Sequence, residues 1–236
     1  LAEAYRCWPH YPLVSISDRQ RQPLRFANWA GTVYHGMPEG LLRPAQAPAG
    51  DYLAFLGRIA PEKRPDRAIE IARRAGMPLK VAAKVDAADT MYFNQCIEPM
   101  LAGGGVEFIG EIDDARKSGF LGNAAALLFP IDWPEPFGLV MIEAMACGTP
   151  VVAWRNGSVP EVVEHGVTGF IVESEDEAIE AIGRLHELDR ARIRREFERR
   201  FSATAMARAY VDLYHRLAAT PATGADGGDA GLARLG

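Results

Sequence analysis

The chain has 236 residues, 48% of them hydrophobic and 24% charged, with a formal net charge of −5. That is enough apolar material for one or two cored domains, and the acidic balance supplies no global basic field for nucleic acid. The longest apolar runs, such as AAALLFPI (124–131), fall well short of the roughly 20 residues a membrane span needs. With no signal pattern visible at the start, a cytoplasmic setting is expected. The three cysteines, Cys7, Cys96 and Cys147, are odd in number and lack C-x-x-C spacing, so they read as reduced thiols.

Residues 10–34 hold two β-rich runs, PLVSIS and GTVYHG, separated by the polar DRQRQPL. Two strands have too little core to stand alone, so residues 1–35 are expected to close a preceding domain that is mostly absent. Residues 36–51, rich in Pro, Gly and Ala, read as a linker. From residue 52 onward short apolar runs alternate with helical segments. Strands are predicted at 52–57, 79–84, 106–110, 125–130, 150–154 and 169–172, with helices at 64–76, 89–101 and 113–122, a helix ending at Cys147, a short one at Val159–Val163, and C-terminal helices. Strands this apolar have no wet face. The order therefore predicts an α/β fold over 52–219, a Rossmann-like doubly wound parallel sheet. The Gly- and Ala-rich residues 220–236 read as a disordered tail.

Parallel sheets of this type bind ligands at the carboxyl ends of their strands, and one strand end stands out. In IDWPEPFGLVMIEAMACGTPVVA (131–153), Pro134 and Pro136 put Glu135 in an extended loop, and Gly138 lets the chain turn into a helix that stops at Gly148. Apolar residues surround Glu143 in that helix, where a carboxylate is costly unless something hydrogen-bonds it. It stands in the second turn, near the positive end of the helix dipole. The free amides around Phe137 to Val140 form a place for an anion such as a phosphate. A carboxylate able to grip hydroxyls beside such amides fits a nucleotide sugar; pairing of Glu143 with a neighbouring backbone group or arginine is the other reading these residues leave open.

The motifs EPFGLVMIE, AMACGTPVVA, GSVPEVV and HGVTGFIV, in this order and with seven residues between Glu135 and Glu143, resemble the signature of family 4 glycosyltransferases. FLGRIAPEKRPDRAIEIA resembles the family's segment after the first strand of its C-terminal domain. The resemblance covers roughly residues 10–217. It implies retaining chemistry and the GT-B fold, in which two Rossmann-like domains enclose a nucleotide-sugar donor; this chain would carry the C-terminal half. Position by position, it implies that Glu143 binds the ribose hydroxyls and Glu135 the donor sugar. Pro136 and the Phe137, Gly138, Leu139 and Val140 backbone would line the sugar and phosphates, and Arg58 and Lys63, beside Gly57, would neutralise the diphosphate. Glu111 and Ile112 would lie by the nucleobase. Lys84 reads equally as a donor contact or a surface charge. Glu161, Gly166 and Gly169 read as structural.

The implied donor is a UDP-hexose, and neither a cofactor nor a metal is expected. The family's active-site histidine and acceptor site belong to its N-terminal domain. None of the five histidines here matches that histidine, His35 being assigned to the closing segment, so no catalytic base is named and the acceptor stays unidentified. The chain also reads AAKVDAAD where the family often has a glycine-rich turn. G-x-G-x-x-G after the first strand and a P-loop are both missing, which argues against a dehydrogenase or P-loop NTPase. A non-catalytic nucleotide-sugar-binding module and a nucleotide-sugar epimerase of the same fold are the alternatives.

Overall fold

The computed structural model describes residues 2–219; the tail expected at 220–236 lies outside the described residues. The chain opens with helix α1 (Ala2–Cys7), strand β1 (Leu13–Ser15), a 3₁₀ turn at Arg19–Leu24 and strand β2 (Trp29–Thr32), which pairs parallel with β1. Both strands are shorter than their apolar runs, and the second begins two residues earlier than GTVYHG. Val33 to Gly36 leave the ladder to pack on the main body.

Six further strands form one wholly parallel sheet: β3 (Leu53–Arg58), β4 (Leu79–Lys84), β5 (Val106–Gly110), β6 (Ala126–Phe129), β7 (Val151–Trp154) and β8 (Gly169–Val172), in the spatial order β5-β4-β3-β6-β7-β8. This is the doubly wound order. It reverses direction between β3 and β6, where such sheets open a crevice at their carboxyl ends. Strands β6 and β7 are buried along almost their whole length and β3 over its first three residues, as an apolar parallel sheet covered on both faces requires, and the carboxyl end of β3 opens to solvent.

The covering helices are α2 (Pro65–Arg74); a segment made of α3 (Thr90–Tyr92), a π turn (Phe93–Ile97) and α4 (Glu98–Leu101); α5 (Asp114–Gly122); α6 (Leu139–Ala146); α7 (Val159–Val162); α8 (Glu175–Gly183); α9 (Arg190–Phe201); and α10 (Ala203–Ala219). Helices α2 and α8 pack together in one layer, and α6 packs with α5 and α9 in the other. The single helix predicted at 89–101 is interrupted by the π turn because Pro99 has no amide to donate and its ring crowds the preceding turn. Asp113 caps α5 by accepting from the Arg116 amide at 3.0 Å.

The stretch at 36–51, read as a linker, runs across the main body. Leu42 is fully buried, Met37 bridges to Ser202, and the Arg194 guanidinium donates to the carbonyls of Glu39 and Leu42. Ahead of it, the Glu161 carboxylate accepts from the amides of Asp18 (2.7 Å) and Arg19 (2.9 Å), and Leu213 of α10 packs against Gly31. These contacts hold residues 13–37 over the mouth of the crevice.

Candidate active site

Two loops meet at the point where the strand order reverses. After β3, the 3₁₀ turn Pro61–Lys63 is followed by Arg64 in a left-handed conformation, stabilised by Asp66 and Asp132. After β6, the Glu135 amide closes a tight turn on the Trp133 carbonyl at 2.8 Å. The Asp132 amide donates to the Glu62 carbonyl at 2.9 Å, which joins one loop to the other. Across this seam the Lys63 ammonium is bonded to Glu135 Oε2, which also accepts from Trp133 Nε1 at 2.9 Å. The Lys63 and Glu135 side chains are only 18% and 12% exposed, so their pair is fixed by the fold. The ammonium also sits 5.1 Å above the Trp133 ring.

Gly138 starts α6 at φ 78°, and a Cβ there would lie 2.8 Å from the Met141 methyl and 3.1 Å from the Phe129 ring. The amides of Leu139 and Val140 in the first turn have no intrahelical acceptor. The Phe137 carbonyl accepts from the Ser158 hydroxyl at 2.7 Å and the Pro136 carbonyl from the Ser17 hydroxyl, so the loop is held from two sides.

Glu143 is not sealed in the core, as the apolar run around it implied. Its side chain is 17% exposed and reaches the crevice, where it accepts from the Lys117 ammonium at 2.8 Å; Lys117 also meets Asp114 at 2.9 Å. Partial burial pulls the Lys117 pKa down, but the hydrogen bonds to Glu143 and Asp114 outweigh it and leave the ammonium above the ordinary lysine value. Arg58 ends β3 half-exposed, between Glu62 and Asp86 at 3.4 Å each. Lys84 ends β4 on Asp86 at 2.9 Å, and this raises its pKa.

The crevice consists of two adjoining cavities. The first, about 410 Å³, is lined by Gly57, Arg58, Lys63, Glu135, Pro136, Phe137, Gly138, Leu139 and Val140, together with Ile16 and His35. The second, about 350 Å³, is lined by Gly57, Arg58, Lys84, Glu111, Ile112, Val140 and Glu143, together with Asp86 and Lys117. Gly57, Arg58 and Val140 belong to both. At Gly57 a Cβ would meet no atom within 4 Å, so its missing side chain keeps the junction open. The structure thus brings every candidate site residue of the sequence into one groove. Among the described residues no group of three or more His, Cys, Asp or Glu side chains is placed to hold a metal ion.

A parallel sheet in this order, with charged strand-end loops and a glycine-started helix at its reversal point, is the setting in which the comparisons with known proteins are decisive. Residues 44–205 match the model of the family described as Glycosyl transferases group 1. The chain belongs to that family. Similar curated proteins include D-inositol 3-phosphate glycosyltransferase 2 of Catenulispora acidiphila, 30% identical over 190 residues, which are 72% of this chain and 44% of that protein. The N-acetyl-alpha-D-glucosaminyl L-malate synthase of Bacillus anthracis is 41% identical over 71 residues, 30% of this chain and 18% of that protein. The chain spans under half the length of these relatives. Among solved structures, AviGT4, a glycosyltransferase involved in avilamycin A biosynthesis, superposes with a TM-score of 0.73 at 28% identity, covering 86% of this chain and 62% of that one. Anabaena HepE in complex with UDP and glucose superposes with a TM-score of 0.77 at 19% identity, covering 91% and 66%, which is a likeness of fold. The fold is that of GT-B glycosyltransferases.

Among the groove-lining residues that sequence reasoning missed are Ile16, His35, Asp86 and Lys117; it also missed Trp133, which lines a neighbouring cavity and holds Glu135. Trp133 stands inside the quoted motif, but an aromatic side chain beside two prolines carries no sign that its N–H will orient a carboxylate. Lys117 follows the Asp113 cap by four residues, so its direction is set by the helix, and only the tertiary fold brings it to Glu143. Gly157, in the turn Asn156-Gly157-Ser158, has φ 53°, and a Cβ on it would lie 2.4 Å from both the amide nitrogen and the carbonyl oxygen of Glu135. Gly157→Ala is therefore expected to cost about 1–3 kcal/mol of stability. It should also displace Glu135, seen as a lowered melting temperature together with weaker binding of UDP-glucose; unchanged binding would show that the Glu135 loop tolerates the displacement.

Proposed function

We propose that these residues form the donor-binding half of a retaining family 4 glycosyltransferase that transfers a hexosyl group from a UDP-sugar to an acceptor. The observation that carries this reading is the gathering of Arg58, Lys63, Glu135, the start of α6 and Glu143 in one groove at the sheet's reversal point. The second cavity would take the nucleoside, with Glu143 on the ribose hydroxyls and Glu111 and Ile112 beside the base. The diphosphate would lie at the shared wall, reached by Arg58, Lys63 and the first amides of α6, and the hexosyl group in the first cavity beside Glu135. The crystal structures of Anabaena HepE in complex with UDP and with UDP-glucose support a uridine donor by analogy of fold.

Arg58 has only long contacts to its carboxylates, so it can turn to a phosphate at small cost, whereas the diphosphate must share Lys63 with Glu135. Both cations would stabilise charge growing on the departing UDP. The chemistry needs no cofactor and no metal in this reading. The acceptor would be deprotonated with help from the leaving phosphate rather than by a base of this chain. Residues 1–35 would close an acceptor-binding domain, 36–51 connect it, and 52–219 form the donor domain. The free thiols of Cys7, Cys96 and Cys147 fit a reducing, cytoplasmic setting.

Transfer also needs an acceptor held in line in a water-poor cleft. Purified residues 1–236 are accordingly expected to bind UDP but to release none from UDP-glucose, with or without acceptor extracts. Acceptor-dependent turnover by these residues alone would contradict their assignment as the donor half, and absence of UDP binding would contradict the donor site itself.

A further inference from the structure

His35 is the only neutral side chain able both to donate and to accept a hydrogen bond in the lining of the first cavity, among the described residues. Its neighbours there are cations that only donate, a carboxylate that only accepts, and apolar groups. The His35 imidazole has no hydrogen-bond or ion-pair partner among the described residues; its ring lies edge-on to the buried Phe137 ring, with centroids 5.1 Å apart and planes at 86°.

The ring's position is fixed from both sides. Val33 is buried before it, and Tyr34 packs on Phe137 and Phe201. After it the chain runs so close to α9 that a Cβ on Gly36 would lie 2.4 Å from the Ser202 carbonyl oxygen, and the Met37 amide donates to the Phe201 carbonyl at 3.0 Å. Burial lowers the His35 pKa below the ordinary histidine value, so the ring is neutral at physiological pH. A rigid, neutral donor and acceptor with no protein partner, in the same cavity as Glu135, matches a sugar hydroxyl, which likewise both donates and accepts.

We propose that His35 determines specificity at the sugar end of the donor by hydrogen-bonding a hydroxyl of the transferred hexosyl group. The inference rests on the reading of the first cavity as the hexosyl site. It is tested by calorimetric titration of residues 1–236 with UDP, UDP-glucose, UDP-galactose and UDP-N-acetylglucosamine, in the parent, His35→Phe and His35→Gln. Phenylalanine keeps an aromatic ring against Phe137 and removes the polar atoms; glutamine restores one donor and one acceptor.

The expected result is that the parent binds one UDP-sugar more tightly than UDP. His35→Phe should lose about three- to tenfold of that advantage, the size of one neutral hydrogen bond, with UDP affinity unchanged, and His35→Gln should recover part of it. If His35→Phe weakens UDP and UDP-sugar equally, His35 acts through packing and the inference is overturned. The inference also falls, while the donor site stands, if His35→Phe leaves the advantage intact or if the parent shows none. A parent that binds no nucleotide at all overturns the donor site first and the inference with it.

Discussion

Glu143→Ala is expected to weaken UDP binding by about ten- to a hundredfold while leaving the fold nearly intact. A hydrogen bond from a ligand hydroxyl to a carboxylate contributes about 1.5–3 kcal/mol, and each 1.4 kcal/mol is tenfold in affinity. The fold has less at stake. Among the described residues the Glu143 side chain is bonded only to Lys117, and after the substitution Lys117 keeps Asp114, so the half-buried ammonium is not stranded. The cost in stability is expected to be no more than about 1 kcal/mol. Calorimetry with UDP and denaturant unfolding separate the two effects. A variant that binds UDP like the parent would remove Glu143 from the ribose, and one that loses several kcal/mol of stability would make the carboxylate a structural group.

The second large effect is expected from replacing Arg58 and Lys63 together by alanine. UDP binding should fall by at least about a hundredfold, because two charge-assisted bonds to phosphate are lost at about 1.5–3 kcal/mol each, while uridine binding changes by less than about threefold. Arg58 should carry more of the loss than its exposure implies, since its contacts to Glu62 and Asp86 at 3.4 Å are long and easily exchanged. Loss of Lys63 leaves the Glu135 carboxylate with Trp133 as its remaining partner among the described residues, so binding of the UDP-sugar should suffer beyond that of UDP. Affinity of the parent for UDP should also fall with added salt. Equal losses of UDP and uridine would indicate damage to the fold instead of loss of phosphate contacts.

The sheet was legible because its strands are short, uniformly apolar and separated by helical periods ending in glycine, and each of those signals is local. The groove was legible for the same reason: in a doubly wound sheet the strand ends converge on one edge, so Arg58, Lys84, Glu111 and Glu135 were located once their strands were. What local pattern does not carry is which charges find each other. Nothing near Lys117 in sequence points to Glu143, and Asp86 sits in a run that looked only like a missing glycine turn, although it holds both Arg58 and Lys84. The stretch at 36–51 has a linker's composition, yet Leu42 is fully buried and Arg194 of α9 ties it down; one leucine among prolines and alanines gives no periodicity to read. His35 was hidden in the same way, since its place in the cavity follows from how residues 33–37 cross α9.

The central claim is that the crevice between β3 and β6 is a nucleotide-sugar site, and a crystal structure of residues 1–236 grown with UDP tests it most directly. The account predicts the uracil beside Ile112, the ribose hydroxyls on Glu143, and the diphosphate at the shared wall between Arg58, Lys63 and the first amides of α6. UDP bound elsewhere on the molecule, or in this groove with its phosphates turned away from Arg58 and Lys63, would contradict it.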